Sequence, residues 1–203
     1  MELADAFDER AIDRARRIAD AWEQLHVGAA VPAYASVVLG FAAELITPEE
    51  AERHAGEILA SAPDAGAAGP VNERRPSAEV VEIPTTYDGP DLSDVAARSG
   101  LSVDEVVSLH SGRTYTAYFL GFLPGFAYCG RLDPRIVAPR LERPRERVPA
   151  GAVAVADGQT AVYPFASPGG WRLIGSTDLV MFDPAAPAPA RLGAGGSVRF
   201  VPR

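Results

Sequence analysis

A small set of polar and aromatic side chains stands among apolar segments in the second half of the chain. The set comprises His110, Arg140, Arg145, Gln159, Tyr163, Ser167 and Trp171. Binding sites for small molecules combine aromatic walls with a few polar anchors. The amide of Gln159 can both donate and accept a hydrogen bond, and an arginine can bind a carboxylate through two parallel hydrogen bonds. This composition favours a site for a small molecule that carries an amide.

His110 and Gln159 are the predicted catalytic residues. His110 ends a predicted short helix and is the only histidine after residue 77, so it suits proton transfer near neutral pH. The alternative is a structural histidine whose ring stabilises the carbonyl end of that helix. The sequence leaves both interpretations open.

Arginines and a glycine-rich turn supply the predicted substrate contacts. A proline-containing segment carries Arg140, Arg143, Arg145 and Arg147, and it suits either the binding of a carboxylate or phosphate or a plain solvated loop. The segment Ser167-Pro-Gly-Gly170 is either a turn whose N–H groups bind an oxyanion or a turn alone. The predicted substrate-binding residues are Arg140, Arg145, Tyr163, Ser167 and Trp171.

The segment Gly121-Phe-Leu-Pro-Gly-Phe-Ala-Tyr128 combines aromatic residues with glycine and proline. We predict that Phe122, Pro124, Phe126 and Tyr128 line a pocket or a partner interface. The alternative is that glycine and proline only shape the end of a strand.

Composition and charge exclude several classes of function. The 203 residues carry a formal net charge of -8, whereas a nucleic-acid surface needs clustered lysine and arginine, so we expect no nucleic-acid partner. A single cysteine, Cys129, excludes an intrachain disulfide and a zinc site built on paired thiolates. The sequence has no Gly-x-x-x-x-Gly-Lys-Ser/Thr phosphate loop and no histidine-rich metal motif, so we predict no metal site. The acidic N-terminus and the absence of about 20 consecutive apolar residues favour a cytoplasmic protein without a membrane segment.

The N-terminal elements predict a small α+β sandwich. Apolar residues spaced by three and four between Asp8 and Leu25 indicate an amphipathic helix, and Val31–Phe41 is typical of a strand pair or one bent strand. Thr47-Pro-Glu-Glu50 is a capping box that starts a second helix ending near Ala60. Residues 61–78 are typical of a linker, and the segment 79–83 is a candidate closing strand for the sandwich.

The C-terminal elements predict a barrel or a sandwich rich in β-strands. Two short helices begin at Asp91 and Ser102, and Gly100 ends the first of them. Ser102-Val-Asp-Glu105 is a second capping box. Short apolar runs with glycine and proline between them then indicate strands. The runs are 115–122, 153–155, 161–163, 171–174, 179–182 and 198–201.

The order of several motifs resembles one known family. The motifs include Gly121–Tyr128, Val148-Pro-Ala-Gly151 and Ser167-Pro-Gly-Gly-Trp-Arg-Leu-Ile-Gly175. They resemble the family of the 5-oxoprolinase B subunit, allophanate hydrolase subunit 1 and the Kip-type histidine-kinase inhibitors, a carboxyltransferase-domain family. The resemblance implies a ferredoxin-like α/β sandwich over residues 1–76, with its first strand shortened, followed by a cyclophilin-like β-barrel over residues 77–203.

The same resemblance implies the function and the partners. We expect a subunit of a heteromeric, ATP-dependent amidohydrolase that acts on 5-oxoproline, or on allophanate or urea, and that is inactive alone. Its partners would be a larger cyclophilin-like protein, similar to the 5-oxoprolinase C subunit or to allophanate hydrolase subunit 2, and a third protein similar to the 5-oxoprolinase A subunit. ATP would bind with or through one of these partners. The alternative is a regulatory protein that inhibits a sensor histidine kinase, because one family carries all these activities.

Overall fold

The computed structural model describes residues 9–33, 36–62 and 80–203. Contacts between residues divide the chain into two compact units, residues 1–74 and residues 75–203. The predicted domain boundary at residues 76 and 77 and the predicted shortened first strand lie outside the described residues. None of the helices in the described part of the chain has the length and the apolar character needed to cross a membrane.

The described elements of the N-terminal unit are two helices and one strand pair. They are α1 (Glu9–Glu23), β1 (Ala30–Pro32), β2 (Val37–Leu39) and α2 (Pro48–Ser61). The two strands are antiparallel, with Val31 opposite Val38, so the segment 31–41 contains a strand pair rather than one bent strand. The Trp22 indole N–H donates to the carbonyl of Gly40 at 2.8 Å, which ties α1 to the end of the pair. The predicted capping box of α2 is confirmed, because the Thr47 N–H donates to Glu50 and the Glu50 N–H donates to Thr47.

The C-terminal unit is a mixed sheet of seven strands with two short helices. Its helices are α3 (Leu92–Ser99) and α4 (Val103–Ser111). Its strands are β3 (Val81–Thr85), β4 (Thr114–Leu120), β5 (Ala127–Gly130), β6 (Arg145–Val148), β7 (Ala152–Ala156), β8 (Gln159–Val162), β9 (Ser167–Gly169), β10 (Arg172–Ser176) and β11 (Ser197–Pro202). The sheet order is β10-β7-β8-β5-β4-β11-β3, and β6 pairs separately with β9.

Two backbone contacts close the large sheet into a nearly complete barrel. Thr86 directly follows the edge strand β3, and Ser176 is the last residue of the other edge strand, β10. The N–H of each donates to the carbonyl of the other, at 2.9 and 2.8 Å. Next to them, Asp91 N donates to Leu173 O at 2.9 Å. The α+β fold with a β-barrel is therefore confirmed for this unit.

Two predictions about strands are wrong. The segment 79–83 was expected to close the N-terminal sandwich, but β3 pairs in parallel with β11 of the barrel, where Ile83 and Thr85 are buried. Pro84 suits this position because it lacks an N–H and β3 is an edge strand of the sheet. The apolar run 179–182 forms no strand, because only Met181 in it is buried and Val180 is 59% exposed.

Side chains that alternate along the strands divide the C-terminal unit into two apolar clusters. Val153, Val155 and Val162 belong to a cluster that takes residues from all seven strands of the sheet, so this cluster fills the barrel interior. The alternate residues Ala154 and Ala161 belong to a second cluster. Its other buried members are Phe126, Val148, Ala152, Ala156, Tyr163, Trp171 and Leu173. The second cluster therefore covers the outer face of one side of the barrel.

Barrel closure predicts a steric requirement at Gly175. A Cβ atom added there would lie 2.5 Å from Thr86 O, so Gly175→Ala has to displace backbone at the closing contact. We expect this change to lower the free energy of unfolding by about 2 kcal/mol or more, as overpacking does in a tight core. Urea denaturation measures the effect.

Gly193→Ala is the matched control, since nothing lies within 4 Å of a Cβ added at that position. We expect its unfolding free energy to stay within about 0.5 kcal/mol of the parent chain. Equal stability of the two variants would show that the contact between Thr86 and Ser176 is not tight.

Candidate functional site

Five of the predicted site residues form one group of rings on the outer face of the barrel. We call this group the aromatic site, and its members are Phe122, Phe126, Tyr128, Tyr163 and Trp171. The Phe126 ring lies at the centre, with its centroid 5.4 Å from Phe122, 4.9 Å from Tyr128, 5.2 Å from Tyr163 and 5.6 Å from Trp171. All four contacts are edge-to-face, which is a favourable arrangement for aromatic pairs. Phe119, which was not predicted as a site residue, stacks on Tyr128 at 4.4 Å.

Neighbouring strands of the sheet bring these rings together. Phe126 and Tyr128 lie at the start of β5, Tyr163 follows β8, and Trp171 precedes β10. Small side chains on β7 and β8, among them Ala154 and Ala161, lie beneath the rings and are fully buried. Because alanine side chains are small, they leave room for the large rings on this face of the sheet.

The loop between β4 and β5 presents one ring of the site to solvent. The Gly121 N–H donates to Phe126 O at 3.1 Å and the Phe126 N–H donates to Leu123 O at 3.0 Å, which makes the loop tight. Phe122 has a φ of 69° and is 60% exposed, and Pro124 beside it is also exposed. A bulky residue rarely adopts a left-handed backbone, so the loop holds an aromatic ring at the surface at a cost in strain.

Arg140 lies over the indole of Trp171. The centre of its guanidinium is 5.9 Å from the ring centroid, within the range of a cation–π contact. Its Nε donates to Asp157 Oδ2 at 2.9 Å, and both side chains of this pair are more than half exposed. Asp157 was not predicted as a site residue. It belongs to the turn between β7 and β8, where Asp-Gly adopts positive φ at both residues, and this hairpin signal in the sequence could have located it.

Arg145 reaches the backbone of the same tryptophan from β6. Its Nη2 donates to Asp91 Oδ1 at 2.7 Å and its Nη1 donates to Trp171 O at 3.4 Å. Asp91 was predicted only as the start of a helix, and no signal in the sequence connected it with Arg145, 54 residues away. Trp171 is thus contacted by two arginines, each of which is paired with an aspartate.

Gln159 and Ser167 are nearly buried, as are Phe126, Tyr163 and Trp171 of the aromatic site. Gln159 begins β8 and is 3% exposed, and by strand alternation it shares a face with Ala161 and Tyr163. Ser167 begins β9, a strand paired with β6, so the expectation of a turn is wrong for residues 167–169 in both of its forms. The Ser167 hydroxyl donates to Pro168 O at 3.2 Å.

The structure separates His110 from the aromatic site. The ring is fully buried, and its two nitrogens are hydrogen-bonded to the Tyr87 hydroxyl at 2.7 Å and the Thr160 hydroxyl at 2.9 Å. It packs 4.5 Å from the Phe200 ring, and Phe200 belongs to the interior cluster. Burial lowers the pKa of His110 to about 3, so the imidazole is neutral at neutral pH. The geometry therefore supports a structural role for His110, through bonds to side chains rather than to helix carbonyls.

Burial also shifts the pKa values of two tyrosines of the aromatic site and of Cys129. It raises the pKa of Tyr128 and of Tyr163, so both hydroxyls keep their protons near neutral pH. It raises the pKa of the Cys129 thiol to about 12, which makes this residue a poor nucleophile. The described residues include no group of three or more His, Cys, Asp or Glu that could hold a metal ion.

Comparison with known proteins places the chain in a family. The model of the carboxyltransferase domain, subdomain C and D, matches residues 1–192. The chain belongs to this family. The match includes every residue of the aromatic site and both arginines that contact Trp171.

Curated relatives of this carboxyltransferase-domain chain carry one name. The chain is 52% identical to the 5-oxoprolinase B subunit of Escherichia coli O157:H7, over 63% of the chain and 60% of the relative. It is 48% identical to the 5-oxoprolinase B subunit of Bacillus subtilis strain 168, over 60% of the chain and 52% of the relative. The matched part thus spans between about half and three fifths of the length of these relatives.

Solved structures share the fold. A conserved uncharacterized protein from Pyrococcus horikoshii is 40% identical, with a TM-score of 0.61 over 100% of the chain and 92% of that protein. The Kluyveromyces lactis urea carboxylase matches 98% of the chain and 20% of its own length, with a TM-score of 0.70 and 17% identity. The second similarity shows that this carboxyltransferase-domain fold also occurs as one part of a much longer chain.

The buried neutral His110 predicts a pH-dependent stability of the barrel unit. Its pKa is about 3 when folded, against about 6.5 when unfolded, so its contribution is complete above pH 6.5 and is lost as the pH falls towards 3. We expect the unfolding free energy to fall by up to about 1.4 kcal/mol per pH unit below pH 6. The carboxyl groups with lowered pKa have ordinary values of 4.5 or less, and their protonation in the unfolded chain is nearly absent above about pH 5.5, so the interval from about 5.5 to 6.5 reports His110.

Urea denaturation in a Trp22→Phe background measures this slope, because Trp171 fluorescence then reports only the barrel unit. His110→Gln should remove most of the slope, whereas the control His26→Asn should retain it. Asn suits the control because His26 has a φ of 56° and asparagine tolerates that conformation. An unchanged slope in His110→Gln would contradict the assignment.

Proposed function

We propose that the chain is a subunit of a heteromeric, ATP-dependent amidohydrolase that opens 5-oxoproline to glutamate. The names of the curated relatives support the substrate. The observation that carries the proposal is the position of Trp171, with Arg140 over its ring and Arg145 on its carbonyl, beside the rings of the aromatic site. Such a group matches a compact substrate that carries a carboxylate and a cyclic amide.

Each group of the site has a role in this proposal. Arg140 is more than half exposed, so it can turn from Asp157 to the carboxylate of an incoming substrate. Trp171 and Tyr163 are 4% and 1% exposed, so their rings form the buried base of the site and not a surface that the substrate touches. Tyr128 is half-buried and its hydroxyl keeps its proton, so it can donate a hydrogen bond to the amide carbonyl. Gln159 and Ser167 are 3% and 9% exposed, so we propose that they stabilise the barrel around the site rather than react with the substrate.

The described residues do not fit a site for the triphosphate of ATP. A triphosphate is commonly held by a glycine-rich loop with a lysine and by a metal ion, and the sequence contains no Gly-x-x-x-x-Gly-Lys-Ser/Thr loop. The groups needed for a metal ion are not found among the described residues either. We therefore place nucleotide binding on a partner protein and derive no step through it.

A partner protein is part of the proposal. The candidates are a protein similar to the 5-oxoprolinase C subunit or to allophanate hydrolase subunit 2, with a third protein similar to the 5-oxoprolinase A subunit. The exposed, strained Phe122 and its neighbour Pro124 supply a surface that such a partner would cover. The same exposed ring is the observation that favours the alternative, a regulator that docks on a sensor histidine kinase.

ATP hydrolysis by the chain co-purified with the products of adjacent genes tests the function. The assay compares no substrate with 5-oxoproline, urea and allophanate. Stimulation by 5-oxoproline alone is expected, and stimulation by allophanate or urea instead would move the assignment to that substrate. A stable complex that no substrate stimulates would contradict the enzyme proposal and favour the regulator.

Arg140→Gln predicts a loss of substrate affinity in the assembled complex. A hydrogen bond to a charged group contributes about 1.5–3 kcal/mol, so we expect the KM for 5-oxoproline to rise about tenfold or more. The control Arg143→Gln removes the same charge from an exposed position in the same segment and should change KM less than about twofold. Equal effects of the two changes would mean that only the overall charge of the segment matters.

A further inference from the structure

Asp91 occupies the position before α3 but does not cap that helix. Its side chain makes no hydrogen bond to the first turn of α3. Instead, Oδ1 accepts from Arg145 Nη2 at 2.7 Å and Oδ2 accepts from the Leu173 N–H at 2.6 Å. The residue is only 8% exposed, so both carboxylate oxygens are occupied inside the protein. An aspartate at a helix start usually accepts hydrogen bonds from the first turn of the helix. Asp91 instead accepts them from Arg145 and Leu173.

The contacts of Asp91 converge on Trp171 by two routes. Through its side chain it holds Arg145, whose Nη1 donates to Trp171 O. Through its N–H and its Oδ2 it holds both backbone groups of Leu173, two residues after the tryptophan. The position of the indole relative to Phe126 and Arg140 is therefore fixed from its backbone side by one carboxylate.

We propose that Asp91 is the positioning residue that fixes Arg145 and Trp171 for a substrate carboxylate. The proposal rests on the proposed function, and Asp91 itself does not touch the substrate in it. An arginine without a partner moves among many rotamers, and a substrate would have to order it on binding. The bonds to Asp91 and Trp171 O order it in advance, and the 28% of the Arg145 side chain that remains exposed leaves donors for an anion.

Asp94 provides a matched control for a purely structural role. It lies on the first turn of the same helix and pairs with Arg172, the first residue of β10, and with Arg98. Arg172 also donates to Pro139 O at 2.8 Å. Asp94 therefore ties α3 to β10 as Asp91 does, but it does not contact Arg145 or Leu173.

The test compares Asp91→Asn with Asp94→Asn in the assembled complex. We expect Asp91→Asn to raise the KM for 5-oxoproline about tenfold or more with kcat within about threefold, because binding and not the chemical step loses its preorganised donor. Asp94→Asn should leave KM within about twofold even if both variants lose similar thermal stability. Equal KM values for the two variants at equal loss of Tm would overturn the proposal.

A double-mutant cycle tests the route through Arg145. Arg145→Lys keeps the charge but cannot contact Asp91 and Trp171 O together, so this single change should raise KM. Adding Asp91→Asn to it should raise KM by less than about a further twofold. Multiplication of the two effects would contradict action through Arg145. If Asp91→Asn fails to fold, Arg145→Lys at intact Asp91 still decides whether the held guanidinium sets KM.

One readout does not depend on activity, so it separates a failure of this proposal from a failure of the proposed function. In a Trp22→Phe background, acrylamide quenching reports the exposure of Trp171, which is 4% in the parent chain. Asp91→Asn should increase quenching about twofold or more over Asp94→Asn, because it releases the indole from its backbone side. No difference in quenching would overturn the positioning role, whereas a parent complex without 5-oxoproline-dependent ATP hydrolysis would overturn only the proposed substrate.

Discussion

Closure of the barrel is the constraint on which the rest of the C-terminal unit depends. A sheet of seven strands has two free edges, and here Thr86 and Ser176 join them through a reciprocal pair of hydrogen bonds. The edges approach so closely that only glycine fits at Gly175. Asp91 extends the closing contact along β10 by binding both backbone groups of Leu173. Trp171 and Arg172 lie at the start of the strand that this contact fixes, so the geometry of the candidate site follows from the closure.

The closed barrel also decides which side chains can meet. Successive residues of β8 point to opposite faces, so Thr160 binds His110 in the interior while Ala161 lies under the aromatic site. His110 was predicted as catalytic for proton transfer and Gln159 for hydrogen bonds to an amide, but His110 lies inside the barrel and Gln159 shares the outer face. The Tyr87, His110 and Thr160 side chains satisfy one another there, which is how polar groups are kept in an apolar core.

Local sequence chemistry was sufficient to predict part of this structure. The two capping boxes at Thr47 and Ser102 and the left-handed Gly100 depend on residues three or four apart, and all three are present. The five rings of the aromatic site were predicted in two sets, one for the substrate and one for a pocket or interface, and the structure brings both sets into contact around Phe126. Their role stays a prediction. Partners far apart in sequence could not be predicted. The pairing of β3 with β11 and the contact of Asp91 with Arg145 depend on barrel closure, which no local pattern encodes.

The protonation states around the aromatic site explain why a partner protein has a place in the proposed function. Its tyrosines hold their protons because burial raises their pKa values, and its arginines are permanent cations paired with Asp91 and Asp157. In the proposed function these groups bind and orient an anionic amide, but neither tyrosine changes charge near neutral pH. Ring opening of a lactam requires proton transfer to the leaving nitrogen and activation of the attacking water. Because His110 is enclosed in the barrel interior, the proposed function assigns these steps to a partner protein, and the exposed Phe122 and Pro124 are the proposed edge where it would approach.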